Sequence, residues 1–398
     1  MWLSWHRVRM LPALFLAFLP LLLVRILRPL VVVRFGALPG GKMSRYIGGT
    51  EIFLSELDAG MHKGRFLDVF YHDMPICNYN LKAMWDRTLR VWQWARPIDL
   101  VNRALPGGNV HRMPWRAEYE FDVHLVLDRT ESHLNFTQNE KAEAQRSIES
   151  MGLPVDAPYI CFHARDGEYQ LAVDRDAVAE VERSLPNNSD IQTYLPAAEH
   201  MTKHGLYALR VGAIVKEPIK TANPMIIDYA TKARSELLDL YLAANCEFFV
   251  ASSDGITLIP VAFRRPVVHV NVVEIINEFY QFGVTWSRHD LWIPKILWLR
   301  SEGRPVTFRE MIRWKEEIKY GAWIRSARGI ELVDNTADEI KAVTIEMHER
   351  LQGTWEPDPE DEELQRRFWS IYDPTGDYRV PRARIGADFL RTNLDLFD

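Results

Sequence analysis

The chain has little cysteine, and what it has is scattered. Cys77, Cys161 and Cys246 are the only three in 398 residues. None forms a Cys-x-x-Cys pair or a metal-ligand spacing, which excludes a disulfide framework and fits a reducing compartment. Excess positive charge is also missing. Lys and Arg number 48 against 54 Asp and Glu, for a net charge of −6. General nucleic-acid binding needs a basic surface to meet phosphates, so nucleic acid is excluded as a partner. There is no internal repeat and no low-complexity tract.

Long apolar runs are scarce as well. The uncharged N-terminal stretch Met10–Val24 falls short of the roughly 20 residues that span a bilayer core, and Pro12 and Pro20 interrupt it. No small-x-small cleavage site follows it. Trp2, Trp5, His6, Arg7 and Arg9 precede it, and Arg25 and Arg28 follow. Such flanks suit a helix lying in the membrane interface against anionic lipid. A true span or uncleaved signal-anchor, and a buried helix of the soluble fold, are the other two readings.

What is present is the composition of a folded protein: 47% hydrophobic and 26% charged residues. The length suggests two domains. "LVVVRFG" (30–36) reads as a buried parallel strand. A Gly-rich stretch and then "TEIFLSEL" follow, a helix with Thr50 as N-cap. That Gly-rich stretch matches neither G-x-G-x-x-G nor G-x-x-x-x-G-K-[ST]. "RFLDVFY" (65–71) reads as a second strand, 76–105 as helical, and 141–154 as a helix closing on Gly152.

The second half alternates more regularly. Strands are expected at "YICFHA", 206–212, 225–230, 247–252 and 266–271, with helices between, including 235–246. This implies an α/β fold with Rossmann-like parallel sheets. The acidic run "EPDPEDEEL" reads as a solvated face.

Ligands of such sheets bind beyond the carboxyl ends of strands. Three ends carry distinctive residues. His163, Arg165, Asp166 and Glu168 follow the first. Ser252, Ser253, Asp254 and Gly255 lead into a helix, whose free amides would suit phosphate. Arg210 sits before Gly212 at the third. A diphosphate would then meet Arg165, Arg210 and the helix start, with His163, Asp166 or Glu168 as catalytic groups. Structural readings stand beside these: an Arg165–Asp166 ion pair, a core histidine at 163, an N-cap at 253–254 and an outward Arg210. "DRD" (174–176) is the one metal-like pattern, in a polar loop.

The ordered block from "YICFHARDGEYQ" through "NNSDIQTYLPAAEHMTKHGLYALRVGA" and "ASSDGITLIPVAF" to "IPKILW" resembles a family of bacterial glycosyltransferases found among surface-polysaccharide genes. The resemblance covers about residues 30–350. It implies a GT-B-like fold of two Rossmann-like domains facing a cleft, an acceptor domain at 30–152 and a nucleotide-sugar domain at 153–350; the residues outside it read as a membrane-associated segment at 1–29 and a helical tail at 351–398. It implies a metal-independent glycosyltransferase without a cofactor, taking a nucleotide-diphosphate sugar as donor. The acceptor would be a glycan or lipid-linked saccharide at the cytoplasmic face of the bacterial inner membrane. The His-x-Arg element is similar to that of fucosyltransferases, which implies Arg165 as the donor-phosphate ligand. Two departures stand out. Asn187–Asp190 lacks the Arg that the family carries there, and Arg45–Gly49 lacks a His. A silent scaffold subunit of a polysaccharide assembly complex is the alternative, as is a nucleotide-sugar epimerase or hydrolase.

Overall fold

The computed structural model describes residues 2–114, 122, 124–173, 185–252, 254–273, 287–314, 328–372 and 383–397, without the side chains of 2–13, 173, 185 and 372. The chain divides into two compact units: Met1–Glu120 with Thr130–Phe136, and Phe121–Arg129 with Thr137–Asp398.

In the first unit, β1 (Val32–Pro39) and β2 (Phe66–Asp73) pair in parallel. They form a two-stranded sheet, the only sheet of this unit among the described residues. β-Branched and aromatic residues bury one face, with Val33, Phe35, Val69 and Tyr71 in a small core. Arg34 and Asp68 are register partners and join bidentately at 2.6 and 2.7 Å. Thr50 is not an N-cap. The chain is already helical over Ser44–Gly49, and the Thr50 amide is spent on the Ile47 carbonyl.

The N-terminal helix, Trp2–Ile26, packs on the helix Ala95–Ala104. Ala17 and Leu21 are buried. Phe15, Leu16, Leu19, Leu22, Leu23 and Ile26 are exposed, Phe15 to 82%. Among the described residues, no helix is long and apolar enough to cross a membrane. The spanning reading of this segment is therefore corrected: two prolines and a short uncharged run leave too little continuous apolar length.

The second unit is built on a seven-stranded parallel sheet. Its strands are β3 (Tyr159–His163), β4 (Tyr207–Arg210), β5 (Ile226–Asp228), β6 (Phe249–Ala251), β7 (Val267–Val272) and β8 (Leu291–Pro294). A small antiparallel sheet adds β9 (Ile296–Leu299), β10 (Arg304–Pro305) and β11 (Ile330–Val333). β12 (Arg384–Ile385) completes the large sheet beside β8.

The large sheet is ordered β12-β8-β7-β6-β3-β4-β5. The chain leaves β3 toward β4 and β5, then returns to β6 and proceeds the other way. The order reverses between β3 and β6. β3, β6 and β7 are buried at every position, as apolar runs in a parallel sheet with both faces covered should be. The segment 351–398, expected as a helical tail, forms helices and also donates β12 and core residues Phe368, Phe389 and Phe397. Within the acidic run, Asp361 is not solvated: it is buried and paired with Arg391 at 2.5 Å.

Candidate functional site

In an open α/β sheet, the point where strand order reverses leaves a crevice at the carboxyl ends, because the flanking crossovers depart in opposite directions. Here the crevice lies at the ends of β3 and β6. Parallel register sets His163 of β3 level with Ala251 of β6. The segments that follow, Ala164–Glu168 and Ser252–Gly255, are thereby brought together.

Two backbone links fix Arg165. Its amide donates to Ser252 Oγ at 2.9 Å, and its carbonyl accepts from the Ser189 amide at 2.9 Å. Its side chain is 11% exposed, with Nη1 4.0 Å from Asp254 Oδ1. Its Nε is buried without a hydrogen-bond partner among the described residues. A guanidinium offers five N–H donors, so Arg165 retains unused capacity in the crevice.

His163 is engaged on both sides. Nδ1 lies 3.0 Å from the Val211 carbonyl and Nε2 lies 3.2 Å from Asp254 Oδ2. His163, expected as a catalytic group, therefore has both ring nitrogens within reach of protein oxygens, one of them Asp254. Burial alone would raise the Asp254 carboxyl. The His163 bond and charge, the Arg165 charge and the Gly255 amide outweigh it and hold Asp254 below the usual carboxylate range.

The helix start is engaged as well. The Gly255 amide already donates to Asp254 Oδ1 at 2.6 Å. Asp254 caps the turn, and only a short 3-10 turn and the five residues Leu258–Ala262 follow. Gly255 and Asp254, both expected at a donor phosphate, bond to each other. Ser252 is fully buried and serves Arg165. Ser253 and the Asp174–Asp176 pattern lie outside the described residues.

Asp166 is not a free base either. Oδ1 accepts from the Glu168 amide at 3.1 Å and Oδ2 from the Lys216 amide at 2.7 Å. Glu168, at the start of the helix Glu168–Val173, is half-buried, and its carboxylate has no partner among the described residues. Arg210 is 1% exposed and away from the crevice surface. It pairs with Asp228 at 3.2 Å and donates to the Glu217 carbonyl at 3.2 Å. The fold spends it internally because Arg210 and Asp228 are register partners in adjacent strands.

Beneath the crevice lies a layer that sequence reasoning missed. Tyr194 is buried, and its hydroxyl lies 3.0 Å from Ser189 Oγ, with Ser252 and Asn271 as further neighbours. Burial pushes that hydroxyl up from its ordinary value. Lys295 is 3% exposed, and its ammonium joins the Asn188 carbonyl at 2.8 Å and Asp334 at 2.6 Å. Burial lowers the Lys295 ammonium against the Asp334 pairing. Lys295 holds the Asn188–Ser189 turn that in turn meets Arg165. A lysine inside "IPKILW" was the only available signal. Among the described residues, no group of three or more His, Cys, Asp or Glu side chains is arranged to hold a metal ion.

The second unit is thus a doubly wound α/β domain with Arg165 beside Asp254 at its switch point. No protein-family model and no curated protein matches the chain. Three solved structures are similar to it at low level. A glycosyl transferase family 9 protein from Veillonella parvula has 10% identity and a TM-score of 0.36, over 60% of this chain and 79% of that one. The ADP-heptose lps heptosyltransferase II of E. coli has 11% identity and a TM-score of 0.34, over 59% and 84%. The iron-containing dodecameric glycosyltransferase TibC from enterotoxigenic E. coli H10407 has 12% identity and a TM-score of 0.32, over 60% and 59%. Likeness this weak establishes neither a shared fold nor a shared activity.

Proposed function

We propose that the chain is a glycosyltransferase that moves a sugar from a nucleotide-diphosphate sugar to a glycan or lipid-linked saccharide. The observation that carries this reading is Arg165: a guanidinium two residues past the switch-point strand, fixed through its backbone, whose side chain meets only Asp254, at 4.0 Å, among the described residues. As the anomeric carbon leaves the diphosphate oxygen, negative charge builds on that oxygen. A pre-placed guanidinium stabilises it without reorganisation. The acceptor oxygen bonds the anomeric carbon and gives up its proton. Glu168 is the carboxylate left free to take it.

His163 and Asp254 act as positioning groups, holding the Arg165 segment against β6. The exposed apolar face of the helix Trp2–Ile26, followed by Arg28, suits the interface of an anionic membrane. A cytoplasmic-face enzyme acting on a lipid-linked acceptor gains from that anchoring.

A silent scaffold has one observation in its favour: two of the three expected catalytic side chains, His163 and Asp166, are already engaged. Turnover separates the readings. The purified chain, given nucleotide sugars and a lipid-linked saccharide, should release nucleoside diphosphate only when acceptor is present. Release of free sugar without acceptor would point to a hydrolase. Nucleotide binding without turnover would point to the scaffold.

A further inference from the structure

The loop after β4 was given no role by the sequence, yet three groups inside the unit pin it. The Lys216 amide donates to Asp166 Oδ2 at 2.7 Å. The Glu217 carbonyl accepts from Arg210 Nη1 at 3.2 Å, and the Ile219 amide donates to Asp228 Oδ2 at 3.0 Å. The loop begins against the crevice. A Cβ on Gly212 would lie 2.8 Å from Val215 Cγ1 and 3.4 Å from His163 Nδ1, and its φ of +156° is one that L side chains rarely adopt. Asp166 and Arg210, both expected to touch the ligand, instead set the position of this loop.

That loop places Lys216 at the crevice rim, tied by its own amide to the residue that follows Arg165. Its side chain is exposed and has no ion-pair partner among the described residues. A diphosphate carries more than one negative charge. Arg165 supplies one positive charge, with Asp254 nearby. Arg210 and Lys295 are paired with Asp228 and Asp334, although Arg210 Nε has no partner among the described residues. The helix-start amide of Gly255 is spent on Asp254. A lysine has a flexible four-carbon stem and a compact ammonium, suited to reaching a phosphate from a fixed backbone position.

We propose that Lys216 is a second phosphate ligand, acting with Arg165 on the donor diphosphate. This rests on the reading of the crevice as a nucleotide-sugar site. Lys216 then discriminates diphosphate from monophosphate, and the Arg210–Asp228 pair holds it in place.

The test is calorimetric titration of the full chain and its Lys216→Gln and Lys216→Arg variants with ADP, GDP, UDP and CDP and the matching monophosphates. For the diphosphate that binds, Lys216→Gln should weaken affinity about ten-fold, as loss of one charge-assisted hydrogen bond does. Lys216→Arg should restore most of it, and monophosphate affinity should change little. Thermal unfolding of the variants should match the unaltered chain, because the side chain is exposed. Unaltered diphosphate affinity in Lys216→Gln would overturn the role of Lys216 alone. Failure of the unaltered chain to bind any nucleoside diphosphate would overturn the crevice reading and this proposal with it.

Discussion

Arg165 and Arg210 stand at the carboxyl ends of neighbouring strands, and the fold treats them oppositely. Arg210 faces Asp228 across the register, accepts burial to 1% exposure and meets a second acceptor in the Glu217 carbonyl. Arg165 lies two residues past β3, beyond the reach of any register partner. Its one carboxylate, Asp254, is 4.0 Å away and already takes a bond from His163 and another from the Gly255 amide. The same residue type is a structural tie where a strand partner carries a carboxylate and, on the proposed reading, a ligand group where none does. Arg34 repeats the first case with Asp68 in the other unit.

The comparison can be broken at Arg210 first. Arg210→Met leaves the Asp228 carboxylate buried with only the Ile219 amide. Unfolding free energy should fall by about 3–5 kcal/mol, as when one partner of a buried pair is removed. Denaturant titration measures it, and a change under 1 kcal/mol would remove Arg210 from the structural class. Ser252→Ala is next. It orphans the Arg165 amide, and a stability loss of about 1–3 kcal/mol should accompany weaker nucleotide binding.

Asp254→Asn is the smallest. The folded carboxyl is held below its ordinary value, so its stabilisation is present above the unfolded value near 4 and is lost as pH falls through the lower folded value. Melting temperature should therefore decline less steeply in Asp254→Asn than in the unaltered chain below about pH 4. Parallel acid limbs in the two proteins would contradict that assignment.

Much of the second unit was legible because a doubly buried strand must be apolar throughout. "YICFH", "FVA" and "VVHVNV" announced β3, β6 and β7 in that way. The crevice followed, since switch-point residues come directly after such strands. The short β9–β11 sheet and β12 were not legible. Two- to four-residue strands have no periodicity to read, and β12 joins β8 from about ninety residues downstream. The partners of Asp166, Arg210 and Asp254 were not legible for a related reason. Their partners, Lys216, Asp228 and His163, lie 50, 18 and 91 residues away, and only register and loop path bring them together.

The most direct measurement is thermal unfolding of the unaltered chain, Arg165→Ala and Arg210→Met, each with and without GDP, UDP, CDP, ADP and their sugars. The account predicts that one nucleotide stabilises the unaltered chain, because a ligand that binds only the folded state raises its melting temperature. Arg165→Ala should melt somewhat lower without ligand, since Asp254 loses a neighbouring charge, and lose the nucleotide shift, whereas Arg210→Met should melt earlier still in every condition. A nucleotide shift that survives in Arg165→Ala, or no shift in any of the proteins at concentrations well above a typical Kd, would contradict it.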